Sequence, residues 1–511
     1  MKILLVYPLY PDTFWSFKHA LKVISKKAAH PPLGLLTVAA MLPTEWEKRL
    51  IDMNVTNLKD RDIQWADYVF IGAMVVQKKS VYEIIARCKA LGAKTVAGGP
   101  LFTTEPDNFQ DVDHLVLDEA EITLPPFLED LKKGCAQHTY ASKERPDISL
   151  TPIPLWSILD MNKYTSMNIQ YSRGCPFNCE FCDIVILNGH KPRTKSKEQL
   201  LAEMNALYKH GWRSSLFIVD DNFIGNKRKL KEEILPAIIQ WRKGKKYPFS
   251  LFTEASINLA DDEELITLMV KAGFNRVFIG IETPNEDSLT ECNKNQNKNR
   301  DLVESVKKIQ SYGMEVQGGF IVGFDSDPPS IFDSQINFIQ NSGIVTAMVG
   351  LLNAPRGTRL YQRLIRENRI VDDSTGDNTD YSLNFKPKMN YDMLINGYRY
   401  ILSTIYAPKQ FYERIVTLLK NYNPSQRSNL PQLKLYHIWG FFRSIWLLGV
   451  IDKGRKYYWK LFISTLFKRP RLFPLSITLS VYGLHFRKVV EKFGEQTSLE
   501  TFIEPSRMES N

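Results

Sequence analysis

Short apolar runs at residues 3–7, 68–74, 94–97 and 114–117 have the length of strands. Between two of them, residues 80–91 follow a helical rhythm, with Val81, Ile84, Ile85 and Cys88 on one side. Strands alternating with amphipathic helices predict a parallel, doubly wound sheet over residues 1–140. A ligand on such a sheet lies beyond the carboxyl ends of the strands, where Gly98-Gly99-Pro100 follows the third run. Pro146, Pro152 and Pro154 mark 141–165 as a connector. A second series occupies 166–370. Its apolar runs lie at 168–171, 216–219, 249–253, 276–281, 315–322 and 346–352, with helical segments at 197–208, 227–241, 261–272, 300–312 and 330–341. Six such repeats predict a partial (β/α)6 barrel, two units short of a closed one. From 371 the pattern gives way to a polar loop at 372–380 and irregular helices, so 371–511 is expected to be a mostly helical extension.

Composition narrows the class. With 511 residues, 44% hydrophobic and 24% charged, the chain is an ordinary globular one of about three domains. No run approaches the ~18 apolar residues of a membrane span, and the first apolar run is too short for a secretory signal. Six cysteines are too few for a disulfide scaffold, so a cytoplasmic compartment is expected. The net charge of +10 is concentrated: residues 436–488 hold ten Lys/Arg and one acid, Asp452. The first four hundred residues are close to neutral, which argues against nucleic acid as a partner of the body. The same basic segment has thirteen aromatics, with Trp439, Phe442, Trp446 and Val450 at helical spacing, flanked by Lys453, Arg455, Lys456, Lys468, Arg469 and Arg471. Two readings stay open. One is a helical subdomain that packs its aromatics on the barrel. The other is a peripheral contact of 436–488 with the inner face of a membrane. Stacking on single strands uses similar residues, but no RNA-binding module accompanies them.

The sharpest chemical signal is Cys175-Pro176-Phe177-Asn178-Cys179-Glu180-Phe181-Cys182, directly after the first run of the second series. Four cysteines would close a zinc site or saturate a four-iron cluster, whereas three leave one iron of such a cluster without a protein ligand. The alternative is an incomplete zinc knuckle, but no His or Cys completes one; the nearest histidine, His190, lies eight residues after Cys182. Cys88 reads as core, and Cys135 and Cys292 as loop residues without a role.

On these residues the chain resembles the radical S-adenosylmethionine (SAM) superfamily. The resemblance implies that Cys175, Cys179 and Cys182 hold a 4Fe-4S cluster whose open iron binds SAM, and that an electron from the cluster cleaves SAM to a 5'-deoxyadenosyl radical. It also implies SAM contacts for Phe181, Asp220 of Val219-Asp220-Asp221, Glu254 of Thr253-Glu254, Glu282 of Gly280-Ile281-Glu282, and Gly318, Gly319 and Gly323 on the fifth run. Pro355-Arg356-Gly357-Thr358 resembles the turn that closes the domain in that superfamily.

The flavodoxin-like sheet ahead of the barrel resembles that of cobalamin-binding members related to the hopanoid C-2 methylases. The resemblance rests on Pro31-Pro32-Leu33-Gly34, Gly98-Gly99-Pro100 and Asp118-Glu119-Ala120-Glu121, and implies cobalamin contacts for Pro32, Leu33, Gly34, Gly98 and Gly99. Such proteins usually carry glycine where this chain has Asp118. No Asp-x-His-x-x-Gly is present, so no protein imidazole is expected below the cobalt. Three alternatives stand for this sheet: bound cobalamin, a sheet that only packs on the barrel, and a nicotinamide site, for which no G-x-G-x-x-G is present. The implied function is a cobalamin-dependent methyltransferase acting on an unactivated carbon of a small molecule or a hopanoid-like lipid, with a flavodoxin- or ferredoxin-type electron donor. Its rivals are a cobalamin-assisted rearrangement or cyclisation and a non-catalytic cobalamin or iron–sulfur sensor.

Overall fold

The computed structural model describes residues 1–377, 380–423 and 435–503, with the side chains of 435–436 and 493–503 outside the description. Parts of the polar loop 372–380 and of the extension 371–511 therefore lie outside the described residues.

The amino-terminal sheet has six parallel strands in the order β2 (Glu47–Asp52), β1 (Lys2–Tyr7), β3 (Tyr68–Gly72), β4 (Lys94–Gly98), β5 (His114–Val116), β6 (Thr139–Tyr140). Four of these are apolar runs legible in the sequence. β2, Glu-Lys-Arg-Leu-Ile-Asp, is not, because it pairs on one side only and of its residues only Asp52 is buried; polar edge strands resist sheet-to-sheet association. Alternate residues of β1 feed two cores. Leu4 and Val6 meet Val81, Ile84 and Cys88 on one face, while Ile3 and Leu5 meet Leu35, Ala39, Leu124 and Phe127 on the other. The order 2-1-3-4-5 is that of a flavodoxin-like sheet, with ligand space beyond its carboxyl edge.

The second sheet is also wholly parallel: β7 (Ser166–Ile169), β10 (Ser215–Ile218), β11 (Ser250–Glu254), β12 (Phe274–Glu282), β13 (Glu315–Val322) and β14 (Ala347–Leu351), each bonded to the next. Between β7 and β10, a two-stranded antiparallel ribbon of β8 (Ser172–Arg173) and β9 (Arg193–Thr194) closes a loop. The intervening helices start where caps demand it. Ser196 and Gln199 form a capping box before Lys197–Lys209, and the Asp262 and Asp301 carboxylates accept from Leu265 N and Glu304 N. Along β10 and β11 the outward residues are fully buried under helices, while Phe217, Phe252 and Glu254 are only partly covered. The inner side of the curled sheet, its lumen, is thus partly accessible at these positions.

The extension is helical, with Tyr391–Ile405 and Pro408–Asn421 packed on the barrel and Phe473–Ile503 reaching its amino-terminal floor. There the Arg276 guanidinium donates to Tyr482 Oη at 3.4 Å. The ring of Phe486 stacks on Phe14 at 4.2 Å, and His485 Nε2 meets the Phe14 carbonyl at 2.9 Å.

Candidate functional site

The three cysteines sit in the loop between β8 and β9, at the carboxyl mouth of the barrel. The chain enters it through Gly174 at φ +98°, where an added Cβ would lie 2.8 Å from the Gly189 carbonyl and 2.9 Å from that of Lys191. Only glycine makes that turn cheaply, and it delivers Cys175 N–H to the Gly189 carbonyl at 3.1 Å. As whole residues Cys175, Cys179 and Cys182 are neither fully buried nor fully exposed. Burial pushes the Cys175 and Cys182 thiols up, so thiolate formation there calls for a bound cation. Among the described residues no three His, Cys, Asp or Glu side chains converge on a single ion. A four-iron cubane instead takes its thiolates at separate irons, so a spread donor set of three suits it. The loop is pinned from the far side of the barrel. Glu180 N–H donates to the Cys292 carbonyl at 2.9 Å, Arg363 pairs with Glu180 at 2.8 Å, and the Gln296 amide donates to Cys179 Sγ at 3.8 Å. Phe181 packs 6.3 Å from Phe324. Cys292, which reads as a loop residue, is buried in this support.

The strand-end residues fall into different roles. Asp220 is fully buried and accepts from Tyr171 N–H at 2.8 Å and Ser172 Oγ at 2.6 Å, which fixes the chain just ahead of Gly174. Burial raises its carboxyl to about 7 and that of Asp221 to about 6. Glu254 faces the lumen, and its carboxylate takes no hydrogen bond or ion pair among the described residues. Burial, and then the charges of Asp221 and Asp220, raise it to about 8. Glu282 stands at φ +63° beside a register shift in β12, 2.5 Å from the Lys294 ammonium. The Glu282 charge, followed by that of Cys179, holds the Lys294 ammonium above its ordinary value although burial opposes it. Strand alternation separates the two glycines of β13. A Cβ on Gly319 would meet Phe278 of the lumen at 2.7 Å, whereas one on Gly318 would meet Phe320 and Ile344 on the helix side. Gly323 forms the turn after β13, its N–H donating to Asp327 at 2.8 Å.

The ionisation of Glu254 has a measurable consequence. A folded-state value near 8 against an ordinary 4.5 means that deprotonation costs stability progressively as pH rises from about 4.5 to about 8. In protein free of SAM and cluster, Glu254→Gln is expected to gain about 1–2 kcal/mol in urea unfolding at pH 8 and nothing at pH 5, after discounting for solvent in the lumen.

The lumen itself is aromatic. Phe217 and Phe252 stack at 4.4 Å with planes 2° apart, and Trp15, from the amino-terminal part of the chain, meets Phe278 edge-on at 5.4 Å. His30 lies 5.3 Å from Phe217, its Nδ1 3.0 Å from Asn168 Oδ1, and burial lowers it to about 4, so the ring is neutral. Trp15 and His30 are remote in sequence from the barrel motifs, and no spacing announces them.

The carboxyl edge of the amino-terminal sheet carries a ledge of small residues. Gly72 closes β3 opposite Gly98 of β4, Gly99 follows at φ +97°, and Gly34 lies exposed with nothing within 4 Å of a Cβ built on it. Pro32 precedes helix Leu33–Met41, and Leu33 packs partly buried against the core. The Asn168 amide donates to the Pro31 carbonyl at 3.1 Å, tying this segment to the first barrel strand. Asp118 sits at φ +60°, which explains why glycine is usual there; Asp tolerates the left-handed region better than most residues.

This edge is clamped to the cysteine loop. Arg173, two residues before Cys175, pairs with Glu119 at 2.6 Å and Glu121 at 2.8 Å, and Arg193 of the partner ribbon strand reaches Glu119 at 2.7 Å. Burial raises the Glu121 carboxyl, but the Arg173 hydrogen bonds and charge prevail and hold it down at about 2. The acidic stretch is legible in the sequence; its cationic partners, more than fifty residues away, are not. Arg173→Met leaves the buried Glu121 carboxylate without a cationic partner, while Arg193 still holds Glu119, and is expected to cost about 3–5 kcal/mol of stability at pH 7. Because the Glu121 value is depressed, that loss is full above about 4.5 and shrinks as pH falls toward 2, as denaturant titrations across that window would show.

A family model for the radical SAM superfamily matches residues 169–338, and one for a domain of unknown function, DUF4070, matches 358–498. The chain is 42% identical over 504 residues to an uncharacterized methyltransferase of Synechocystis sp., spanning 97% of this chain and 94% of that one. It is 34% identical over 474 residues to the hopanoid C-2 methylase of Rhodopseudomonas palustris, spanning 90% and 88%. Among solved structures, the cobalamin-dependent S-adenosylmethionine radical enzyme OxsB with aqua-cobalamin bound has the same fold, with a TM-score of 0.61 at 14% identity over 98% of this chain and 80% of that one. The methyltransferase TsrM of Kitasatospora setae gives 0.58 at 14% identity over 96% and 99%.

Proposed function

Because the chain belongs to the radical SAM superfamily, in the methyltransferase family that holds the hopanoid C-2 methylase, we propose that it is a cobalamin-dependent enzyme methylating an unactivated carbon of an apolar, polycyclic lipid. In this reading residues 1–140 bind cobalamin, 141–165 connect, 166–370 form the radical SAM domain and 371–511 the extension. When bound, the 4Fe-4S cluster and SAM supply a hydrogen-abstracting radical, and cobalamin supplies the methyl group. The chain's residues then have positional tasks. Cys175, Cys179 and Cys182 would hold the cluster. The unpaired Glu254 carboxylate would accept the SAM ammonium, and Gly319 would let the β13 backbone approach the adenine. The ledge of Gly34, Gly72, Gly98 and Gly99 would seat the corrin. The Arg173–Glu119–Glu121 clamp would keep the two cofactor sites in register, and a low-potential flavodoxin- or ferredoxin-type protein would supply the electron.

The observation that carries the substrate class is the lumen beneath the cysteine loop, walled by Phe217, Phe252, Phe278 and Trp15. Aromatic walls of this kind bury hydrocarbon rings favourably. Reconstituted enzyme given reductant, SAM and total polycyclic lipid should release 5'-deoxyadenosine and raise a lipid mass by one methylene unit. A product of unchanged carbon count would replace methylation by rearrangement, and absence of 5'-deoxyadenosine would leave only a sensor.

A further inference from the structure

The extension carries a surface that the chemistry at the cluster does not use. Leu435–Ser444 continues through the wider turns of Ile445–Ile451, and Arg455–Lys468 folds back beside it as a hairpin. Its inner side is an ordinary core, in which Leu448, Tyr458 and Leu461 are buried and Phe441 stacks on Phe462 at 6.2 Å. The outer side departs from the pattern of a solvated helix. Trp439 is 66% exposed, Trp446 60% and Phe467 77%, with Phe442, Val450 and Ile463 exposed beside them.

These residues form one face. Trp439, Phe442, Trp446 and Val450 recur at three- and four-residue steps on the first helix, as Trp459, Ile463 and Phe467 do on the second. The two rows join where the Trp459 indole donates to the Gly449 carbonyl at 2.9 Å and lies over that glycine, whose missing side chain gives it room. Monomeric proteins scatter exposed apolar residues singly; a contiguous aromatic face marks an interaction site.

Charge selects the partner. Lys456, Lys460 and Lys468 rise from the same helix as Phe467, and Arg469 and Arg471 follow at its end. The one acid between 436 and 488, Asp452, is taken up by Arg487 at 2.7 Å. Among the described residues no helix is long and apolar enough to cross a membrane. Tryptophans and phenylalanines ringed by lysines, on a helix that cannot span, match the boundary between lipid headgroups and chains, with phosphates as counter-charges.

We propose that the outer face of this hairpin docks the enzyme on an anionic lipid bilayer, with Trp439, Trp446 and Phe467 inserted at headgroup depth and Lys456 and Lys460 on lipid phosphates. The helix that follows the hairpin runs to the barrel floor, where Phe486 stacks on Phe14, the neighbour of lumen residue Trp15. Docking would therefore hold the barrel at the membrane that would contain an apolar substrate. The surface stands independently of the proposed methyl transfer, because lipid binding requires neither cluster nor cobalamin.

Vesicle sedimentation with the full chain tests it. Vesicles of phosphatidylcholine with about 30% phosphatidylglycerol should carry the protein down, and pure phosphatidylcholine should carry at least about tenfold less. Trp439→Ser/Trp446→Ser/Phe467→Ser, all exposed positions, should lose at least about tenfold in binding with an unchanged melting temperature. Lys456→Glu/Lys460→Glu should lose binding to the anionic vesicles alone, and wild-type binding should weaken as salt rises from about 0.1 M to about 0.5 M. Equal sedimentation of the triple variant and wild type would overturn the proposal. So would wild type that ignores both vesicles, or a wild-type dimer in light scattering that the triple variant converts to monomer, which would assign the face to a second copy.

Discussion

Cys179→Ala is expected to abolish the brown visible absorbance of anaerobically reconstituted protein and, with it, all release of 5'-deoxyadenosine from SAM. Cys179 is the middle ligand of a set of three, and the described residues around it provide no thiol substitute. Cys292 is buried behind Phe181 and Glu180 and faces the support of the loop. Groups that merely orient a metal ligand are worth about 10–100-fold in affinity or activity, so loss of one of three ligands should exceed about 100-fold. The fold should persist, since Cys179 is partly exposed in a loop closed independently by the β8–β9 ribbon and the turn at Gly174. Iron and sulfide analysis beside a thermal melt separates the two effects: normal melting without iron supports the assignment, and a full cluster in the variant would refute it. Gln296→Ala, which removes the amide donor to Cys179 Sγ, should retain the cluster and serves as the control.

What could be read from the sequence divides along a physical line. All six barrel strands are legible because each is buried on at least one face and must be apolar at alternate positions, as 315–322 shows at full length. The cysteine spacing is legible because a cluster constrains a local segment. The same argument explains what is hidden. β2 needs only one hydrogen-bonded neighbour, so its Glu, Lys and Arg carry no apolar signature. The pairing of Arg173 with Glu119 and Glu121 depends on how two sheets dock, and a charge run does not name its partner across fifty residues. Gly318 and Gly319 look equivalent in the chain, yet strand alternation gives only Gly319 to the lumen. Asp118, read as a departure from glycine, keeps the backbone geometry that glycine would provide. The aromatic tail follows its packing reading on one face of the hairpin only, and the other face leaves its aromatics exposed.

The second large effect concerns the ledge of the amino-terminal sheet. Gly34→Phe is expected to cut cobalamin binding by more than about tenfold while leaving the fold intact, because Gly34 is the one ledge position where a side chain meets nothing of the protein itself. At Gly98 an added Cβ would lie 2.5 Å from the Val116 carbonyl, and at Gly99 it would meet Ala73 with φ at +97°, so substitutions there confound folding with binding. Gly34 is exposed in the first turn of Leu33–Met41, where replacing glycine improves helix propensity by up to about 1 kcal/mol. Stability should therefore hold or rise slightly, and any loss must come from the space above the strand ends. Two readouts should then part company: cobalt content and methylated product should fall together, while the cluster and the release of 5'-deoxyadenosine continue. Full cobalt stoichiometry in this variant, with the helix intact by circular dichroism, would move the corrin off the carboxyl edge and reduce the sheet to a packing partner of the barrel.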